Sequence, residues 1–306
     1  MILTVTVNTA LDVTYRVPAL LPHATHRVTE VAERPGGKGL NVARVLAALG
    51  HEVTVTGFAG GPTGRVVRDL LTGVTDALVP CAAPTRRTVA VVDERTGDAT
   101  QFNEPGPVVT PAEWAAFQEA YERLVAGADA VALCGSLPPG VPVGAYAGLI
   151  RSARAAGVPV LLDTSGEALR RGVAARPDVL KPNAGELAEL TGSHEPSRAT
   201  QDARRRGARA VVASLGEGGL LAVTPEGRWR AAPPARLRGN PTGAGDAVVA
   251  GLLSGLVENL AWPDRLARAT ALGAASVAAP AAGEFDRGTY EDLLGRVAVT
   301  GEATAA

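Results

Sequence analysis

Cysteine is nearly absent, with only Cys81 and Cys134 in 306 residues. Two thiols cannot build a disulfide framework, which predicts a reducing, cytoplasmic setting and two small core side chains. Histidine is scarce too. The four, at positions 23, 26, 51 and 194, do not cluster, and neither HExxH nor a Cys/His pair at zinc spacing occurs, so no dedicated zinc centre is expected. There is no excess charge of one sign: 30 Lys and Arg stand against 31 Asp and Glu, a formal net charge of -1. That balance predicts no nucleic-acid partner and leaves the capture of any anionic ligand to local cations. The run Arg204, Arg205, Arg206 reads as the solvated face of a helix. No apolar run is long enough to span a bilayer, and the opening MILTVTVNTALDVTY lacks a basic region followed by a long apolar segment. Neither a membrane nor a secretory leader is expected.

What is present is an alternation of short β-branched runs with helical periods. ILTVTVN reads as a first strand. In NVARVLAALG, Val42, Val45, Leu46 and Leu49 share a helical face that Gly50 ends. Segments 12–17 and 26–34, and again 87–92 and 99–103, look extended with no helix between the two members of each pair, and DERTGD supplies a hairpin-like turn. From residue 110 the order is regular: a capped helix in TPAEWAAFQEAYERLV, strand ADAVALCG, helix 144–156, strand VPVLLDTS, helix 167–174, short strand DVLKPN, helix 184–191 and strand RAVVASLG with a polar hairpin after it. The aromatics of the capped helix, Trp114, Phe117 and Tyr121, read as core. Such alternation predicts an α/β fold, mainly parallel, with helices on both faces and a small extra β layer. Polar punctuation follows the strands in CGSLPPG, LDTSG, LKPNAGE and SLGEGG, where ligands sit in open α/β sheets. The tail, 300–306, reads as frayed.

Three glycine-rich stretches carry the chemistry. GNPTGAGDAVVAG places Gly243, Ala244, Gly245 and Asp246 at the head of an apolar helix, where free N–H groups and the helix dipole favour an anion. Asp246 there is either a helix cap or a base beside an anion cradle. PGGKGLN combines glycines with Lys38 and Asn41, and SLGEGG places Ser214 beside three glycines at a strand end. Neither is a P-loop, and no GxGxxG occurs. Together they fit phosphoryl transfer, which needs a positioned hydroxyl, a proton acceptor and charge neutralisation on the moving group. A phosphate- or nucleotide-binding module without chemistry is the alternative.

At these residues the chain resembles the PfkB (ribokinase-like) family of carbohydrate kinases, in the branch of 1-phosphofructokinase and tagatose-6-phosphate kinase. The motifs are VNTALD, GGKGLNVARVLAALG, TRRTVAVVDERTGDATQFNEPG, GSLPPG, KPNAGELAELTG, SLGEGG and NPTGAGDAVVAG, spread over essentially the whole chain. The resemblance implies a ribokinase-like three-layer α/β/α core, a single kinase domain over 1–306, with a small β-sheet lid built from parts of 9–34 and 86–103. It implies that Asp246 is the catalytic base, that Gly243, Ala244 and Gly245 form its anion hole, and that Asp12, Gly37, Lys38 and Asn41 lie on the substrate side. It places Lys181, Asn183 and Glu186 near the phosphates of ATP and a water-coordinated Mg²⁺, and Ser214, Gly216 and Gly219 on the nucleotide side. Arg86, with Lys38 helping, and Arg27 more weakly, are expected to anchor a phosphate already on the sugar. A surface role for Arg86, a turn role for Asn183 and a helix-end role for Glu186 are the plain alternatives. The expected reaction is ATP-dependent phosphorylation of fructose 1-phosphate to fructose 1,6-bisphosphate, with tagatose 6-phosphate, another sugar or a nucleoside as alternatives. Segments 64–84 and 192–208 are shorter than usual for the branch, and the start of NPTGAGDA also departs from it, which leaves substrate choice open. So does the oligomeric state, a homodimer among the options.

Overall fold

A computed structural model describes residues 1–234 and 239–303. In chain order its first strands are β1 Ile2–Thr6, β2 Ala10–Val17, β3 Glu30–Gly36, β4 Val53–Gly60, β5 Thr75–Asp76, β6 Val79–Cys81, β7 Arg86–Asp93 and β8 Ala99–Asn103. The rest are β9 Ala130–Cys134, β10 Val160–Asp163, β11 Val179–Leu180, β12 Ala210–Ser214, β13 Leu220–Val223, β14 Gly227–Ala232 and β15 Ala298–Ala303. The α-helices are α1 Lys38–Ala48, α2 Gly61–Leu70, α3 Pro111–Val125, α4 Ala145–Ala155, α5 Gly166–Ala174, α6 Ala184–Thr191, α7 Pro196–Arg205, α8 Ala244–Val257, α9 Trp262–Val277 and α10 Arg287–Leu294.

The main sheet runs β15-β14-β13-β12-β11-β10-β9-β1-β4-β5, with β6 paired to β4. From β12 to β5 neighbours are parallel, and β13, β14 and β15 close one end antiparallel. Strand β1 lies between β4 and β9, Ile2 opposite both Val53 and Ala130. The chain leaves β1 toward β4 and then crosses to β9, which makes a topological switch point. The parallel strands are buried on both faces, as their unbroken apolar runs require. Helices α1, α8 and α9 cover one face with Leu40, Leu46, Leu252, Leu253, Leu266 and Leu272. On the other face α3, α4, α6 and α7 bury Phe117, Tyr121, Tyr146, Leu187 and Ala203. Helix α3 starts with Thr110 and Glu113 capping each other's backbone N–H, as its sequence predicts.

The extra β layer is a separate four-stranded sheet, β3-β2-β7-β8. Strand β2 pairs antiparallel with β3 and parallel with β7, and the hairpin β7–β8 completes it. In register, Asp12, Thr88 and Asn103 stand side by side on one face, with Arg86 two residues before Thr88. Chain end 298–303 corrects the expectation of a frayed tail: β15 pairs with β14 through six residue pairs, from Ala232 opposite Ala298 to Gly227 opposite Ala303. Residues 304–306 lie outside the described part. Among the described residues no helix is long and apolar enough to cross a membrane.

Candidate active site

The carboxyl ends of the parallel strands and the N-terminus of α8 make one wall of a large cavity. Asp163, the last residue of β10, is 1% exposed, and Lys181, just past β11, is 3% exposed. Lys181 Nζ lies 3.4 Å from Asp163 Oδ1, and Lys38 Nζ lies 3.3 Å from both carboxylate oxygens. One buried carboxylate thus holds two ammonium groups, which offsets the desolvation that each would suffer alone. For Lys38, burial opposes the charge, but Asp163, Asp246 and Glu186 outweigh it and hold the ammonium above its usual range. Lys38 therefore belongs to this wall, and among the described residues no contact joins it to Arg86. The Cys134 thiol, at the end of β9, is pushed well up by burial and then by Asp163 and Asp246, as befits a neutral core group.

Asp246 sits in the first turn of α8, which begins at Gly243 in the left-handed region (φ 87°). A Cβ at Gly243 would lie 2.8 Å from Ala282 Cα and Cβ, so only glycine lets the chain turn here. The Asp246 side chain makes no cap to its helix; Asn41 Nδ2 donates to its Oδ2 at 2.9 Å. Among the described residues no backbone N–H of α8 donates to this carboxylate, and its place in the first turn is one that the helix dipole favours. Burial raises the Asp246 carboxyl, the Asp163 charge adds to that, and Asn41, Lys38 and Lys181 pull it back, leaving it at about 6. A carboxylate held there can take up a proton near neutral pH. The cradle differs in detail from expectation. Ala244 N–H already donates to Pro241 O at 3.1 Å, so Gly243, Gly245 and Asp246 offer the N–H groups that have no carbonyl partner among the described residues.

The opposite wall is the small sheet. Asp12 is raised by burial, with Arg86, a hydrogen bond from Thr88 and Arg44 partly offsetting it. Gly36 crosses directly over it, and a Cβ there would fall 2.2 Å from the Asp12 carboxyl. Arg86 is half-buried and held by three long contacts: Nε to Asn8 O at 3.4 Å, and one terminal nitrogen to Thr88 Oγ1 at 3.2 Å and to Glu104 O at 3.4 Å. It forms no ion pair among the described residues, whereas Arg87, next along, spends its charge on Glu104 at 2.9 Å. The two walls are tied by Glu284, which accepts from Arg34 of β3 at 3.2 Å and from Arg44 of α1 at 2.6 Å.

The cavity between the walls measures about 1510 Å³. It is lined by Asp12, Gly37, Lys38, Asn41 and Arg86, by Lys181 and Asn183, by Ser214, Gly216 and Gly219, and by Gly243 to Asp246. Its lining also includes the apolar Leu220, Pro233, Ala274 and Val277, chemistry that suits a nucleobase. Arg27 is the exception among the expected residues: it lies in the exposed connection between β2 and β3 and does not line the cavity. Asn183 and Glu186 have a structural task, each side chain accepting the other's backbone N–H to cap α6. Glu186 does not itself line the cavity, although its charge reaches Lys38. Sequence reasoning passed over Asp163 as an actor; its signal was an acid ending the apolar strand VLLD inside LDTSG.

Residues 3–286 match the pfkB family carbohydrate kinases. The chain belongs to that family. It is 41% identical over 283 residues to the 1-phosphofructokinase of Rhodobacter capsulatus, covering 89% of this chain and 90% of the relative. The structure of Escherichia coli phosphofructokinase-2 in complex with fructose-6-phosphate superposes with a TM-score of 0.89 at 30% identity, over 96% of this chain and 98% of that one. Arabidopsis thaliana ribokinase, complexed with ribose and ATP, shares the fold with a TM-score of 0.73 at 23% identity, over 96% and 98% of the two chains. The core and small sheet are thus those of a ribokinase-like kinase. This pfkB-family enzyme is a sugar-phosphate kinase with ATP as co-substrate.

Proposed function

We propose that the enzyme transfers the γ-phosphoryl group of ATP to the free primary hydroxyl of fructose 1-phosphate in the cytoplasm, giving fructose 1,6-bisphosphate and ADP. The observation that carries this reading is Arg86, a half-buried guanidinium that makes no ion pair among the described residues and feels Asp12 and Glu104 only as nearby charges, on the wall facing the buried Asp246. A free sugar offers that guanidinium no anion to grip, whereas a phosphate at the end of the sugar remote from the reacting hydroxyl can accept its planar pair of N–H groups. The 41% identity to a 1-phosphofructokinase supports the choice of the 1-phosphate.

The chemistry then follows from the core wall. Asp246 accepts the proton of the acceptor hydroxyl as that oxygen bonds to the γ-phosphorus and the bond to the bridging oxygen of ADP breaks. The free N–H groups of Gly243, Gly245 and Asp246 face the charge on the moving group, and Lys38 and Lys181, held on Asp163, add two fixed positive charges. Asp12 and Asn41 orient the sugar hydroxyls. Ser214, Gly216 and Gly219 border the nucleotide. Among the described residues no group of three or more acidic, Cys or His side chains could hold a metal. Asn183, which lines the cavity, and Glu186, its partner in the α6 cap, would hold through water a Mg²⁺ brought by the nucleotide, which would supply charge neutralisation on the phosphates. The small sheet, tied down through Glu284, acts as the lid that keeps water from the transferring group.

Turnover of the purified enzyme with Mg-ATP tests the proposal against fructose 1-phosphate, fructose 6-phosphate, tagatose 6-phosphate and free fructose. Fructose 1-phosphate should give the highest kcat/KM. A higher value on a free sugar would overturn the phosphate reading, and binding without turnover of any sugar would leave a binding module.

A further inference from the structure

We infer that Asn103 is the residue that distinguishes a ketohexose 1-phosphate from a ketohexose 6-phosphate, by hydrogen-bonding the anomeric hydroxyl next to the phosphate. The inference rests on the fructose 1-phosphate reading and on Arg86 as the phosphate anchor. It starts from the hydrogen-bond accounts of the small sheet. On the face toward the cavity, Thr88 is already spent, receiving Arg86 at 3.2 Å and bonding Asp12. Asn103, directly opposite Thr88 across the β7–β8 ladder, and Gln101, opposite Ala90, also line the cavity. Neither carboxamide bonds a protein group among the described residues. Directly opposed residues of an antiparallel pair lie about 5 Å apart at their Cα atoms, so Asn103 stands beside the Arg86–Thr88 contact, on the side of the cavity where Arg86 would hold a phosphate. Gln101 lies two residues along β8, farther from Arg86.

The two substrate classes differ at that point. With the acceptor hydroxyl at Asp246 and the phosphate at Arg86, a furanose 1-phosphate puts C2 beside its phosphate-bearing carbon, and C2 carries the ring oxygen and a free hydroxyl. A 6-phosphate in the same place puts C5 there, with the ring oxygen and a hydrogen. The one extra group is the anomeric hydroxyl, both donor and acceptor. A carboxamide offers both partners in turn. Asn103 is solvent-exposed, so the preference comes from the extra hydrogen bond that only the 1-phosphate makes, not from a buried group left unpaired.

The test measures kcat/KM for fructose 1-phosphate and fructose 6-phosphate in wild type, Asn103→Ala and Gln101→Ala, using the inhibition constant of the 6-phosphate where its turnover is too slow to time. The ratio of 1-phosphate to 6-phosphate should fall about tenfold in Asn103→Ala, through loss on the 1-phosphate, and stay within about twofold in Gln101→Ala. Equal losses on both substrates, or an unchanged ratio, in Asn103→Ala would overturn the assignment, as would the larger change appearing in Gln101→Ala. Wild-type enzyme inert toward fructose 1-phosphate is a separate result that removes the underlying reading first.

Discussion

The two walls of the cavity are built on opposite plans. On the core wall Lys38, Asp163, Lys181, Asn41 and Asp246 come from five points along the chain, and most of them are almost fully buried. Each is bound to another at 2.9–3.4 Å. On the small-sheet wall Arg86 has contacts just as long, 3.2–3.4 Å, but only to neutral oxygens, and the Asn103 side chain has no protein partner among the described residues. The difference separates two tasks. Groups that meet the charge of a moving phosphoryl act best when fixed beforehand, since no reorganisation is then needed at the moment of reaction. Groups that read a substrate keep unused hydrogen-bonding capacity for the ligand to complete. Damage to the first wall should therefore appear in kcat, and damage to the second in KM.

The largest effect should come from Asp246→Asn. Removing the proton acceptor should lower kcat about 10²- to 10⁴-fold with little change in KM for either substrate. A kcat within a few-fold of wild type would end the distinction between the walls. Arg86→Ala should cost about 10- to 100-fold in kcat/KM on the sugar phosphate, mostly through KM. Rates on the free sugar should hardly move, because that substrate never used the contact. Proportional losses on both would make Arg86 a support of the small sheet alone.

A smaller effect sharpens the electrostatics of the core wall. In the proposed mechanism Asp246 accepts a proton only when ionised, so kcat/KM should fall as pH drops through about 6. Part of that limb belongs to the substrate phosphate, which titrates near the same pH. In Asp163→Asn the charge that raises Asp246 disappears while Lys38 and Lys181 stay, so the limb should move to lower pH by about one unit. The phosphate's own titration cannot move with it. A limb that stays in place or moves to higher pH would show that Asp163 does not set the ionisation of Asp246.

The local signals were legible in the sequence and the long-range ones were not. The strand–helix alternation, the Thr110 cap and the turn at Gly243 are written within a few residues, and each stands where the sequence placed it. Helix α2, GPTGRVVRDL, escaped because two glycines and a proline hide a helix that buries only Gly64 and Val67. Strand β15 escaped because its order comes from pairing with β14 some 70 residues earlier. The same holds for the site. Asp246 announces itself beside its glycines, but Asp163 gains its role only when folding brings Lys38 to it from 125 positions away. Lys38 lines the cavity and pairs with that acid, a partner no local signal announces.

The most direct test of the division between the walls is equilibrium binding of fructose 1-phosphate to Asp246→Asn and to Arg86→Ala, measured by calorimetry beside wild type. Asp246→Asn should bind within about threefold of wild type although it barely turns over, and Arg86→Ala should bind about 10- to 100-fold more weakly. Weakened binding in Asp246→Asn together with wild-type binding in Arg86→Ala would contradict the account.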